Sequence, residues 1–119
     1  MDKISATHIF ESLSSGIRLD IYRVLVKAGP AGMVAGEIAV ALTLPANNTS
    51  FHLKTLTQAG LLSVTQEGRF QRYRANMSLM TDLIDYLTAE CCAGNPAQCA
   101  DLAIPASDCC APAPGATNP

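Results

Sequence analysis

Residues 47–62 read NNTSFHLKTLTQAGLL, and the reading of this run decides how the chain on either side is organised. Leu53 and Leu56 recur three residues apart, the spacing that puts side chains on one face of a helix. Asn47 and Asn48 suit its opening turn, and Gly60 ends it, because glycine enters the left-handed backbone that closes a helix without a steric penalty. On this helix Asn48, Thr49 and His52 share one face, and Leu53 and Leu56 take the other and anchor it.

The flanks follow from that helix. Upstream, VAGEIAVAL (34–42) makes a short helix closed by the turn around Pro45. Before it, GIRLDIYRVLVKAGP (16–30) carries Ile17, Ile21, Val24 and Leu25 as one apolar helical stripe. Ser14 or Ser15 caps its start and Gly29-Pro30 stops it. Downstream the period changes from helical to alternating. LLSVTQ (61–66) and FQRYR (70–74) are strand-like runs joined by EGR, with Gly68 supplying the turn backbone. Alternation points Tyr73 into the core and leaves Arg72 and Arg74 on the opposite, solvated face. Met80, Leu83, Ile84 and Leu87 then restore helical spacing in a last helix.

Helix, short helix, helix and hairpin make a mainly α chain with a β-hairpin wing, the winged helix-turn-helix. In that arrangement the second helix of the pair fits the DNA major groove and the hairpin reaches neighbouring phosphates or the minor groove. Asn47, Asn48, Thr49, Ser50 and His52 are therefore candidates for base edges and phosphates, and Lys54, Arg69, Arg72 and Arg74 for backbone phosphates. Charge agrees with this division. Residues 1–44 balance, residues 45–76 carry a net +3, and residues 77–119 carry a net −5. A basic middle suits a polyanion.

At 119 residues the chain is long enough for one core and too short for two. Residues 1–90 are expected to form the DNA-binding and dimerisation domain, residues 91–119 a cysteine-containing segment, and the stretch from 100 to 119 a flexible tail rich in Pro, Ala and Ser. No run approaches the roughly 18 apolar residues of a membrane span. The start MDKISATHIF also lacks the build of a signal peptide, so a cytoplasmic protein is expected.

Three stretches together, LSSGIRLDIYRVL, NNTSFHLKTLTQAGLL and EGRFQRYR, resemble the ArsR family of metal-responsive repressors, over about residues 10 to 90. The family shows a similar Ser-x-His-Leu recognition helix ending in Ala-Gly-Leu and an Arg-tipped wing. The resemblance implies a DNA-binding repressor and no enzyme, working as a homodimer joined by its first and last helices on a pseudo-palindromic, double-stranded operator. Arsenite-sensing members of the best-known type keep a Cys-Val-Cys box in the helix before the recognition helix. Here that helix reads VAGEIAVAL and holds no cysteine.

All five cysteines instead lie between Cys91 and Cys110, beginning with ECCAGNPAQC at 90–99. A reducing cytosol and an odd count both argue against a structural disulfide framework. Cys91, Cys92 and Cys99 resemble the vicinal pair plus third cysteine of a subset of arsenite-responsive members. The chemistry agrees: As(III) and Sb(III) take three thiolates in a pyramid, whereas Zn²⁺ normally wants four ligands. The family's cobalt, nickel and zinc sites use His and carboxylates, and this chain has only His8 and His52. Two alternatives stand beside this reading. Methylarsenite already holds one carbon ligand and needs only two thiols. A thiol redox repressor would need a disulfide; Cys91 to Cys92 is strained, with adjacent Cα atoms about 3.8 Å apart against the about 4.4 Å a disulfide needs, but Cys92 to Cys99 is feasible. The negative end of the preceding helix also disfavours a reactive thiolate. Cys109 and Cys110 form a second thiol pair further along.

Overall fold

The computed structural model describes residues 1–89. Five helices and three strands follow in the order α1 (Lys3–Leu13), α2 (Gly16–Ala28), β1 (Met33–Val34), α3 (Ala35–Leu42), α4 (Ala46–Gln58), β2 (Leu62–Glu67), β3 (Phe70–Ala75) and α5 (Met77–Leu87), with a 3-10 turn at Gly29–Ala31. This is the mainly helical winged helix-turn-helix expected from the sequence. The chain divides into two compact units, the first ending at Met80 within α5.

Local chemistry sets the helix ends. Asp2 caps α1 by accepting the Ser5 N–H at 2.7 Å, and this bond holds its carboxyl below the ordinary carboxylate value. Ser15 accepts the Arg18 N–H at the start of α2, as its position before the stripe implies. Two helices close by the same pair of bonds. At the end of α4, Leu61 N–H donates to the Leu56 carbonyl and Gly60 N–H to Thr57, with Gly60 at φ +85°. At the end of α3, Leu44 N–H donates to Ala39 and Thr43 N–H to Val40, but the left-handed position at φ +54° is filled by Thr43. A β-branched residue is strained there, so the turn between α3 and α4 carries a local cost that Gly60 avoids.

In the first unit, Ile9, Ile21, Leu25, Ile38, Leu53 and Leu56 are fully buried. The α2 stripe is rotated from its expected position, because Tyr22 joins Ile21 and Leu25 inside while Ile17, in the first turn, is exposed. Leu61, at the close of α4, buries beside the hairpin's first residue, Leu62.

The wing is a three-stranded antiparallel sheet in the order β1-β3-β2, one strand more than the hairpin read from sequence. In the hairpin Leu62 pairs with Ala75 and Glu67 with Phe70, leaving Gly68 and Arg69 as a two-residue loop with Gly68 at φ +64°. Tyr73 is buried, as its alternation required. Met33 and Val34 pair with Tyr73 and Arg72 across the other edge of β3. Gly32 makes that approach possible: at φ +62°, a Cβ on it would collide with the Tyr73 carbonyl oxygen and lie 2.8 Å from Arg74 Cγ.

In the second unit, α5 buries Leu83 and exposes Ile84, Tyr86 and Leu87, so the expected four-residue stripe is buried only at Leu83. No helix among the described residues is long and apolar enough to cross a membrane. The cysteine-containing segment from 91 and the expected tail at 100–119 lie outside the described residues.

Candidate nucleic-acid interface

The amino acids of α4 sort cleanly by face. Thr49, Leu53 and Leu56, at i, i+4 and i+7, are buried, while Asn47, Ser50, Phe51, Lys54 and Gln58 are exposed together on the other side. Thr49 therefore does not join Asn48 and His52 on an outward face. Its hydroxyl donates to the Pro45 carbonyl at 3.0 Å, which satisfies the polar group and lets the methyl pack inward. The helix also opens earlier than its asparagines suggest, at Ala46 after Pro45. Asn47 and Asn48 lie in its first turn, where Asn47 Oδ1 accepts the Asn48 N–H at 3.0 Å. Both side chains are exposed there, with the Asn47 amide nitrogen making no bond within the described residues.

His52 is half-buried and held from behind. Arg18 Nη1 lies 3.2 Å from His52 Nδ1, and Arg18 Nε donates to the Ser12 carbonyl at 2.6 Å. A guanidinium only donates, so Nδ1 accepts and the ring proton sits on Nε2. The imidazole can then offer Nε2–H as a donor, in an orientation fixed from the end of α1. Arg18 lies 34 positions away from His52, and nothing in the sequence pattern marks the pair. Phe51 is a second residue missed from the sequence. Two residues from Leu53, it falls out of phase with the buried stripe, and that phase is the signal of its exposure.

The four cations of the basic segment differ in their ties. Arg72 Nε bonds both Glu67 carboxylate oxygens at 3.0 Å, and its Nη1 donates to the Ala31 carbonyl at 3.1 Å. Arg74 Nε donates to the Pro30 carbonyl at 2.8 Å and its Nη1 to Thr65 Oγ1 at 3.1 Å. Both arginines are thus braced against the 3-10 turn and the sheet rather than left free on a solvated face, because the carbonyls of Pro30 and Ala31 come within their reach. Lys54 and Arg69 have no hydrogen-bond or ion-pair partner among the described residues. Arg69 sits at the hairpin tip and Lys54 on the exposed face of α4. Glu67 pairs with Arg72, and Lys54, Arg69 and Arg74 form no ion pair among the described residues. Between α4 and the sheet lies an open groove of about 360 Å³ lined by Ser50, Lys54, Gln58, Val64 and Gln71. Hydroxyl, ammonium and amide groups along one groove suit a phosphodiester run.

Among the described residues no cluster of three or more His, Cys, Asp or Glu is placed to hold a metal ion. Cys91, Cys92 and Cys99, the expected metalloid ligands, lie outside the described residues.

A helix with a polar exposed face, set beside a cation-tipped hairpin, defines a winged helix-turn-helix of the DNA-binding class. Comparison with known proteins agrees. Residues 13–65 match a helix-turn-helix domain family. The chain is similar to the transcriptional repressor SdpR of Bacillus subtilis, with 31% identity over 80 residues, 67% of this chain and 86% of that protein. Among solved structures it is similar to an ArsR-like transcriptional regulator from Rhodococcus sp. RHA1, with a TM-score of 0.63 and 27% identity over 71% of this chain and 76% of the other. The homodimeric winged helix-turn-helix DNA-binding domain Mb0332 of Mycobacterium bovis shares the fold, with a TM-score of 0.57 and 24% identity over 72% of this chain and 80% of the other. The chain belongs to the ArsR family of winged-helix transcriptional regulators, and it is not an enzyme.

Proposed function

We propose that the protein is a cytoplasmic repressor of an arsenic-resistance operon, which binds a two-fold operator as a homodimer and is released when As(III) or Sb(III) binds Cys91, Cys92 and Cys99. The observation that carries the ligand is the run ECCAGNPAQC: three soft thiols within nine positions, in a segment with no histidine, supply the donor set of a three-coordinate metalloid and fall short of a tetrahedral zinc site. Operator binding is supported by the exposed face of α4, by Lys54 and Arg69, which have no partner among the described residues, and by the groove between α4 and the sheet. A homodimer is supported by the apolar side chains left exposed on two helices, Ile4 and Phe10 of α1 and Ile84, Tyr86 and Leu87 of α5. Its counterpart Mb0332 is homodimeric, and a dimer matches a two-fold operator with half-sites about 34–36 Å apart.

The cysteines follow the last helix and are far in sequence from α4, so the metalloid acts on the dimer rather than by covering the groove-facing side chains. Closing a ring through Cys91, Cys92 and Cys99 tilts the last helix against its partner and changes the spacing of the two recognition helices. Release requires a coupling of only about 1–3 kcal/mol.

The test is operator release by arsenite, read by fluorescence anisotropy, for the wild type and for Cys91→Ser, Cys92→Ser and Cys99→Ser. Each substitution abolishes the arsenite response, and Cys99→Ser retains the response to methylarsenite, which needs two thiols. Three variants that all still respond to arsenite would show the ligand set to be wrong. Release by an oxidant in the absence of metalloid would point to the thiol redox reading.

A further inference from the structure

We propose that Phe51 reads sequence directly, by placing its ring against the 5-methyl group of a thymine in the major groove. The inference rests on the DNA-binding reading above and adds to it a base preference and the residue that enforces it.

A single exposed apolar side chain is ordinary on a protein surface and by itself means nothing. Phe51 differs in its place and its support. It is the sole exposed large hydrophobic residue of α4, 65% accessible, and it lies in the middle of a face otherwise made of Asn47, Ser50, Lys54 and Gln58. Asn47 is one turn before it and Lys54 one turn after, so a duplex reached by those two polar groups also meets the ring. The ring also has a neighbour. It stands edge-to-face with His52, centroids 5.6 Å apart at 67°, and His52 is itself held by Arg18.

The chemistry of the groove then selects the partner. A phenyl ring neither donates nor accepts a conventional hydrogen bond, so it cannot read the N7, O6, O4 or amino groups that distinguish most base edges. The thymine methyl is the apolar feature the major groove offers. Covering it removes two apolar surfaces from water at once, whereas a purine edge presents polar groups to the ring and cytosine offers only a C5–H with no methyl to cover. The neighbouring Asn47 amide suits an adenine edge, so the residue pair favours A·T-rich half-sites.

The test uses the full chain and a preferred duplex selected from a randomised pool. Each half-site thymine is replaced in turn by deoxyuridine, which removes the methyl group and leaves base pairing intact, and Kd is measured for the wild type, Phe51→Ala and Phe51→Leu. At one thymine and its two-fold mate, uridine weakens wild-type binding about fourfold per methyl, from about 0.8 kcal/mol per buried carbon at 1.4 kcal/mol per tenfold. Phe51→Ala binds the thymine and uridine duplexes equally at that position, and Phe51→Leu retains part of the difference. Indifference of the wild type to uridine at every position, or a selected half-site without thymine, overturns the inference. So does an equal loss in wild type and Phe51→Ala, since another residue would then read the methyl. These outcomes leave operator binding standing, whereas failure of the wild type to prefer any duplex overturns the DNA-binding reading and this inference with it.

Discussion

Arg69→Ala isolates the electrostatic part of operator binding, because Arg69 has no partner in the described chain and its loss breaks no internal bond. Folding stability should stay within about 0.5 kcal/mol of wild type, the range of ordinary surface changes. Binding should respond strongly to salt. Each neutralised phosphate of B-DNA contributes about 0.9 to the slope of log K against log salt, and a dimer presents two wing tips, so the variant's slope should be shallower by about 1.8. Between 50 and 200 mM salt, the wild type should therefore lose about twelvefold more affinity than the variant. The loss should be the same on operator and unrelated duplexes, since phosphate contacts carry no sequence information. Arg72→Ala makes the contrast. It removes the Glu67 ion pair and the bond to Ala31, so it should lower the melting temperature as well as the affinity. Anisotropy titrations at four salt concentrations read both slopes. An unchanged slope for Arg69→Ala would refute a wing tip on the phosphate backbone.

Three further outcomes concern the scaffold. Gly32→Ala should destabilise by at least about 1–3 kcal/mol in a urea melt, since its backbone is essentially glycine-only and the new methyl would meet the Tyr73 carbonyl. Thr43→Gly should stabilise by about 1 kcal/mol by relieving the left-handed strain at the end of α3, with operator affinity unchanged. Burial raises the Tyr73 hydroxyl above its ordinary value of 10.0. The folded state thus holds that proton more tightly than the unfolded chain, and this contribution to stability is complete below pH 10 and declines as pH rises through the folded value. Comparing melts of wild type and Tyr73→Phe between pH 9 and 11.5 reads it, and parallel curves would remove the buried phenol as the cause.

Much of the fold was legible because it is written in local period. The phase of Leu53 and Leu56, the stop at Gly60, the turn at Gly68 and the inward Tyr73 all follow from spacings of a few residues. What escaped depends on distant partners. Two-residue β1 is too short to show a period and exists because β3 offers it an edge. Thr49 reads as polar and outward, yet the Pro45 carbonyl four residues back satisfies its hydroxyl inside the core. Arg72 and Arg74 read as cations on a solvated face, and only the folded chain brings the carbonyls of Ala31 and Pro30 within their reach. The candidate DNA face is legible in the same uneven way: its cations are plain in the sequence, but their ties are not, and the tether from Arg18 to His52 joins two helices. The proposed metalloid site was read from the resemblance and the thiol chemistry of Cys91, Cys92 and Cys99, which lie outside the described residues.

The claim that metalloid and operator oppose one another is tested most directly by the As(III) affinity of the full chain, measured by calorimetry with and without a saturating operator duplex. Linkage is reciprocal, so if As(III) releases DNA, operator must weaken As(III) binding by the same factor, about 5- to 150-fold for a coupling of about 1–3 kcal/mol. Equal affinities in the two titrations would contradict the account, showing that the three thiols bind arsenic without controlling the DNA-bound state.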